Sequence, residues 1–393
     1  MAYHTLTLTA AAAAHLERGS SDLPLEDLPG AERCEPGQPL RLVSPAGSLL
    51  SLAVADPENQ LVRAMARPDE GVSSLDAAFF RGRVRQALAL RAAFGLRREE
   101  TTHRVLNAAG DGLPGLAADV YGQYAVLYAY ARGLLTFGRL LAGVLLEELG
   151  LSGVVLKLRS PDAGQGGTLK QEIIGSAPPE RLVVYEAGVP LEVHLASGLN
   201  VGLFTDMREH RSGLRRYAQG RTVLNLFSYT GSLSVLAARA GAPRVTSVDL
   251  AGGVHRWARE NFLLSQLEPE KHRFETTEVS AFLKKEARAQ QTYDLIIVDP
   301  PTYSAARASA WSMRKDYPDL IARTAALLSR GGLLWLSANR RESAPLSEIA
   351  QAGFERAGRT AQLLEVGGLP PDYPTLLAQP ADRYLQVSLF AVR

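Results

Sequence analysis

Two short segments carry residue types and spacings that suit chemistry. The first is Asp299-Pro300-Pro301-Thr302-Tyr303, directly after the apolar run Leu295-Ile296-Ile297-Val298. Two prolines fix the backbone direction, so the Asp299 carboxylate and neighbouring carbonyls are aimed to accept bonds from an exocyclic amine or a ring N–H. Tyr303 then offers a flat face for stacking. A planar base withdrawn from its stack suits this combination, and the plainer alternative is a proline-rich strand exit with a packed tyrosine. The second segment is Asn225-Leu226-Phe227-Ser228-Tyr229-Thr230-Gly231, with Asp249 further along. An acidic residue about 20 positions after such a loop accepts hydrogen bonds from both ribose hydroxyls. Small loop residues let the backbone approach a ligand, and Gly231 adopts conformations denied to other residues. An ordinary βα turn has a similar composition, so this segment alone supports no more than a nucleotide-type cofactor.

The elements that must position these residues alternate between apolar strands and helices over residues 196–393, the mark of an α/β doubly wound parallel sheet. Strands are expected over Thr222–Leu226, Arg244–Val248 ending at Asp249, His272–Thr276, Tyr293–Val298 ending at Asp299, and Leu333–Ser337. Helices are expected over Ser232–Ala240, Val254–Leu264 and near Asp319–Leu328. The tail segments Ala361–Val366 and Tyr384–Val392 have no helix between them and read as an antiparallel hairpin on the sheet edge. In such sheets ligands bind beyond the carboxyl ends of the strands, where Gly231, Asp249 and Asp299 all fall. The loop lacks the full G-x-G-x-x-G, which argues against a pyrophosphate and so against a nicotinamide or flavin dinucleotide. Glu278, after the third strand, is placed either to meet an adenine edge or to stand as a solvated loop acid.

Ahead of this sheet lie two smaller regions. Residues 1–68 read as short strands (Thr5–Thr9, Leu40–Val43, Leu49–Val54) separated by Pro/Gly punctuation, and a small β-barrel or sandwich is the natural outcome. Residues 69–99 hold a connecting helix whose arginines Arg81, Arg83, Arg85 and Arg91 face either RNA or solvent. Residues 100–195 form a small α+β domain, with a helix over Leu134–Leu149 ended by Gly150. The chain has 393 residues, 46% hydrophobic and 21% charged, and a net charge of +2. That balance excludes a polyanion-binding tail, and the single cysteine, Cys34, excludes a disulfide framework or a Cys-rich metal site. No metal is expected. No stretch approaches the roughly 20 apolar residues needed to span a bilayer, so a cytoplasmic address follows by default. An exposed strand of the middle region is compatible with a homodimer, though nothing requires one.

The motifs together resemble class I methyltransferases of ribosomal RNA. Asn225–Gly231 stands for motif I, Asp249 for motif II and Asp299–Tyr303 for motif IV. The segment Asn200-Val201-Gly202-Leu203-Phe204-Thr205-Asp206-Met207-Arg208-Glu209-His210-Arg211 resembles the stretch just upstream of the sheet in the RlmI-like family of 23S rRNA cytosine-C5 methyltransferases. The resemblance covers essentially the whole chain and implies a PUA-type RNA-binding barrel over residues 1–68. It implies S-adenosylmethionine as cofactor, 23S rRNA as partner, and a role for Phe204, Asp206 and Arg208 in enclosing the cofactor and target site. Phe227, Ser228, Tyr229, Thr230 and Gly231 would lie near the methionine moiety, Asp249 on the ribose, Glu278 on adenine, and Asp299 on the target amine. Pro300, Pro301 and Tyr303 would face the RNA base. Arg208, Arg211, Arg340 and Arg341 are candidate phosphate contacts, with solvated surface as the alternative.

One departure bears on the reaction. Cytosine C5 becomes nucleophilic only after a thiolate adds to C6. The family carries that cysteine in a Ser-Cys-Ser-like motif where this chain reads Ser337-Ala338-Asn339-Arg340-Arg341. That run, with Asp299–Ser304, also resembles the guanine-N7 methyltransferase half of the RlmKL enzymes, whose acceptor nitrogen needs no covalent catalyst. Architecture thus points to cytosine C5, and the missing thiol points to guanine N7 or another base nitrogen. An RNA-binding protein that holds the cofactor without transferring its methyl is a further alternative of another class. A small-molecule methyltransferase would leave the first two regions unexplained.

Overall fold

The computed structural model describes residues 2–96, 102–159, 171–301, 313–339 and 345–393. Residues gather into two compact units. One comprises Met1–Val184, Val193–Val201 and Pro371–Asp382, and the other Tyr185–Glu192, Gly202–Pro370 and Arg383–Arg393.

In the first unit, β1 (His4–Thr7), β2 (Asp22–Pro24), β3 (Pro39–Val43), β4 (Leu49–Asp56) and β5 (Leu61–Ala66) form a sheet in the order β1-β3-β4-β5-β2. Leu23, Leu40, Leu42, Val62 and Cys34 belong to its apolar cluster. The strand expected over Thr5–Thr9 stops at Thr7. Thr9 instead accepts from the Ala12 amide and caps a helix, α1 (Ala10–Glu17). Alanine's high helix propensity makes that run helical once a cap is supplied.

The helix α2 (Ala77–Ala93) starts at Asp76, whose side chain accepts from the Ala78 and Phe79 amides. A second sheet follows, with β6 (Thr102–Asn107), β7 (Leu116–Tyr121), β8 (Tyr124–Ala129), β9 (Gly153–Leu158) and β10 (Gln171–Gly175) in the order β10-β9-β8-β7-β6. Between β8 and β9 runs α3 (Leu135–Leu149), which ends at Gly150 in the left-handed conformation (φ 65°), as its sequence demands. The α2 arginines are all paired with acids of the same unit. Arg81 and Arg85 pair with Glu147 and Glu148 of α3, Arg83 with Glu70, and Arg91 with Asp111 at 2.6 Å.

β11 (Leu182–Glu186) and β12 (Val189–Val193) pair as a short ribbon. In the second unit, α4 (Arg208–Ala218) precedes the main sheet. That sheet contains β13 (Thr222–Leu226), β14 (Arg244–Asp249), β15 (Arg273–Thr276), β16 (Tyr293–Val298), β17 (Leu328–Asn339), β18 (Ala361–Gly367) and β19 (Leu385–Val392). Their order is β15-β14-β13-β16-β17-β19-β18. Leu295 to Val298 have no exposed surface, which explains their unbroken apolar run in a strand covered on both faces. The intervening helices are α5 (Ser232–Arg239), α6 (Gly252–Leu264), α7 (Val279–Arg288), α8 (Met313–Ala325) and α9 (Leu346–Ala357). β19 runs antiparallel to both β17 and β18. The expected tail hairpin is therefore an antiparallel pair in which β19 is inserted beside β17 and β18 forms the edge. Among the described residues no helix is long and apolar enough to cross a membrane.

Candidate active site

Parallel register sets the carboxyl ends of the central strands side by side. Leu226 is opposite Val248 on one flank and Val298 on the other, Val298 is opposite Leu336, and Asp249 is opposite Thr276. The residues that follow these positions therefore emerge along one edge. They include Phe227–Gly231, Asp249, Glu278, Asp299 and Ser337.

The loop after β13 has an unusual backbone. Phe227 and Tyr229 both have positive φ (60° and 49°), as does Gly231 (76°). Bulky residues rarely take that conformation, and such strain persists only where surrounding structure imposes it. Here Asp249 imposes part of it, accepting from the Tyr229 amide at 2.9 Å with one oxygen and from the Ala251 amide at 3.1 Å with the other. The Ser228 amide bonds the Val248 carbonyl. His255, from α6, lies 3.4 Å from the Ser228 hydroxyl and 3.0 Å from that of Thr276 at the end of β15. Burial lowers the His255 pKa and keeps its ring neutral. Gly231 is required for packing as well as for its φ, since a Cβ there would lie 2.8 Å from that of Ala258. Next to Asp249, Leu250 is 58% exposed.

The segment upstream of the sheet closes over this loop. Thr230 donates to the Gly202 carbonyl at 2.6 Å. The Phe204, Tyr229 and Trp257 rings follow one another at centroid separations of 5.6 and 6.5 Å, and Phe204 remains 45% exposed. Asp206 accepts from the Tyr384 hydroxyl at 2.9 Å. Arg208 is buried and pairs with Glu209 at 3.2 Å. Glu278 occupies the position just before α7, makes no capping hydrogen bond with its side chain, and is half-buried.

Asp299, at the exit of β16, accepts a short hydrogen bond from the Ser337 hydroxyl. Burial pushes its carboxyl up to about 6; the Ser337 bond and Arg211 oppose that rise, and the Asp206 carboxylate adds to it. Tyr317 braces the floor by donating to the Val298 and Ser337 carbonyls. Pro300 is buried and Pro301 exposed.

Burial bears on two of the expected site residues. Arg211 is only 2% exposed. It bonds both oxygens of buried Glu186, at 2.7 and 2.5 Å, and the Phe204 carbonyl at 2.8 Å, so it braces the loop instead of reaching a phosphate. Asn225 has no exposed surface and donates to Ser234, which in turn meets Ser247. Its side chain supports the strand below the loop. Thr302, Tyr303, Arg340 and Arg341 lie outside the described residues. The sequence reading missed Tyr384, Leu250, His255, Trp257 and Thr276. An exposed leucine directly after the strand-end acid was the one local signal among them; the others reach the site only through tertiary packing.

A parallel sheet with one reversed strand inserted beside β18, a strained loop after its first strand and an acid at the end of its second define a class I methyltransferase. The family described as S-adenosylmethionine-dependent methyltransferase matches residues 165–385. YwbD of Bacillus subtilis, named provisionally as a ribosomal RNA large subunit methyltransferase, is 31% identical over 98% of both chains. Ribosomal RNA large subunit methyltransferase I of Erwinia tasmaniensis is 30% identical over 90% of each. Among solved structures, SMU.776 complexed with SAH superposes with a TM-score of 0.85 at 26% identity, covering 100% of both chains. The chain belongs to the S-adenosylmethionine-dependent methyltransferase family, in its RlmI-like branch, and S-adenosylmethionine is its cofactor.

Proposed function

We propose that this enzyme methylates a nitrogen of a base in 23S ribosomal RNA. The rRNA substrate is supported by the names of the relatives that align over nearly the whole chain. The nitrogen is supported by one observation: position 338, where a thiol would be needed, is a 1% exposed alanine paired with Gln386 inside the sheet. The chain's single cysteine is buried in the apolar cluster of the first unit. A base nitrogen brings its own lone pair, so positioning against the methyl group carries the rate. Cytosine C5 is the second reading, favoured by overall similarity to the RlmI relatives.

S-adenosylmethionine supplies an electrophilic methyl on a sulfonium. In this reading Asp249 receives the ribose hydroxyls, since each of its oxygens spends only one lone pair on the loop amides. Leu250 offers an apolar face to the adenine, Glu278 lies at the adenine edge, and Phe227–Gly231 border the methionine moiety. Phe204, Asp206 and Arg208 close the site. The first unit's N-terminal sheet serves as the PUA-like RNA-binding module, the enzyme acts in the cytoplasm, and residues 1–68, 69–99, 100–195 and 196–393 are its functional divisions. Pairing through β10, the edge of the second sheet, would give a homodimer.

The deciding experiment maps modified bases in 23S rRNA from a strain lacking the gene. One methylated nitrogen is expected to vanish. Loss of a 5-methylcytosine instead would favour the second reading, and an unchanged rRNA would refute the substrate. Asp249→Ala is expected to weaken S-adenosylmethionine binding about 100-fold, from the loss of two hydrogen bonds to a charged group. Unchanged affinity by calorimetry would refute the ribose role.

A further inference from the structure

We propose that His255 is a positioning residue for S-adenosylmethionine binding, bridging the Ser228 hydroxyl of the cofactor loop and the Thr276 hydroxyl at the end of β15. The inference concerns the methyl donor and holds whichever base is methylated. It rests on the placing of the ribose at Asp249.

The loop needs a template. Phe227 and Tyr229 hold positive φ, a conformation that only surrounding contacts sustain. One face of α6 supplies them. His255, Ala258 and Asn261 are spaced three apart, which sets them on the same side of the helix, and each meets a different residue of the loop. Asn261 donates to the Thr230 carbonyl at 2.9 Å. Ala258 lies so close to Gly231 that a Cβ there would come within 2.8 Å of it. These two secure the end of the loop that leads into α5. His255 reaches its middle, 3.4 Å from the hydroxyl of Ser228, which the two strained residues flank.

The imidazole is suited to a bridge. It is 4% exposed, and burial lowers its pKa, with Asp249 and Glu275 opposing that fall and Arg259 adding to it. At pH 7.5 the ring is therefore neutral, with one nitrogen donating and the other accepting. A hydroxyl can do either. Both tautomers thus leave the ring fully partnered, with Nε2 at Ser228 and Nδ1 at Thr276, 3.0 Å away. Phe274 packs edge-on against the ring at a centroid separation of 5.9 Å, and the Arg259 guanidinium covers Phe274 at 4.4 Å.

The far end of the bridge matters as much as the near one. Thr276 is the register partner of Asp249 in the sheet, and Asp249 accepts from the Tyr229 amide. Ser228, His255, Thr276, Asp249 and Tyr229 therefore close a circuit in which the shape of the loop and the direction of the Asp249 carboxylate are set together. Without the bridge the donor itself has to order the loop, and affinity falls by that ordering cost.

The test is calorimetry on the full-length protein with S-adenosylmethionine and, separately, S-adenosylhomocysteine. His255→Leu is expected to bind both about 10-fold more weakly, from the loss of a buried hydrogen-bonded link. The two factors should be equal, because an ordered loop serves both ligands. Thr276→Val, at an exposed position, is expected to weaken binding about 5-fold alone and to add nothing in the His255→Leu background, since one bridge breaks only once. A purely structural loss at each site would give additive effects instead. Unchanged affinity in His255→Leu, or additivity in the double variant, would refute the bridge. Should His255→Leu fail to fold, Thr276→Val decides alone, and unchanged affinity there refutes the proposal. Asp249→Ala keeps the two readings apart. If it weakens binding while the other variants do not, the bridge falls and the ribose placement stands; if none of the three weakens binding, the ribose placement falls as well.

Discussion

At the Asp299 carboxyl the needs of the fold and of the reaction oppose one another. Burial holds it at about 6, against an ordinary value of 3.8. The folded chain therefore binds this proton more tightly than the unfolded chain does. The sign follows directly: stability from this group is present below about pH 4 and is lost as pH rises through 6. Asp299→Asn removes the ionisable group, so it is expected to stabilise the protein by about 1 kcal/mol at pH 7.5, allowing for solvent screening at a partly buried site. Thermal denaturation should show a larger gain at pH 7.5 than at pH 5; an equal gain at both would refute the argument. Methyl transfer should fall at least about 100-fold, as expected when a buried group made for hydrogen bonding is replaced. Asp299 was legible in the sequence because an apolar strand and two prolines surround it locally. Its partners were not. Asp206 and Tyr384 are 178 residues apart, and Ser337 is 38 from Asp299, so no local pattern joins them. Arg211 misled for the related reason that an arginine in a polar helix reads as exposed until its burial against Glu186 is seen.

Strands and helices of the main sheet were legible wherever periodicity was strong. Thr222–Leu226 matches β13 residue for residue, and Tyr293–Val298 matches β16. The conformation of the loop after β13 was legible only at Gly231, because Phe227 and Tyr229 hold positive φ through tertiary contacts and not through residue type. The α1 helix was missed for a different reason: Thr9 continues the alternation of a strand yet serves as a cap. The loop's geometry gives a test at the scale of elements. Gly220 and Gly231 have similar φ (70° and 76°), but a Cβ at Gly220 meets nothing within 4 Å while one at Gly231 strikes Ala258 on α6. Gly220→Ala should cost about 1 kcal/mol for the left-handed backbone alone. Gly231→Ala should cost about 2 kcal/mol or more, because it also separates α5 from α6. Chemical denaturation measures both, and calorimetry should show weakened S-adenosylmethionine binding only for Gly231→Ala. Equal costs would mean that the helix contact is unimportant.

For the molecule as a whole, the location of its single thiol bears most directly on which reaction the enzyme performs. Cys34 belongs to the apolar cluster of the N-terminal sheet, 7% exposed among Leu23, Leu28, Ala31 and Leu40. Burial, with help from Glu32, raises its pKa, so the thiol stays protonated and is a poor nucleophile. Its surroundings are those of a small hydrophobe. Cytosine C5 methylation through a covalent base adduct would require this thiol to ionise and leave its cluster for a base. Nitrogen methylation asks nothing of it. Cys34→Ala is therefore expected to cost about 1 kcal/mol of stability, for a small cavity, and to leave methyl transfer to rRNA unchanged. Alkylation of the native protein should likewise leave activity intact, and no covalent adduct should form with 23S rRNA whose cytosines are replaced by 5-fluorocytosine. Loss of transfer in Cys34→Ala with the fold and donor affinity preserved would restore the thiol as the nucleophile and return cytosine C5 as the acceptor.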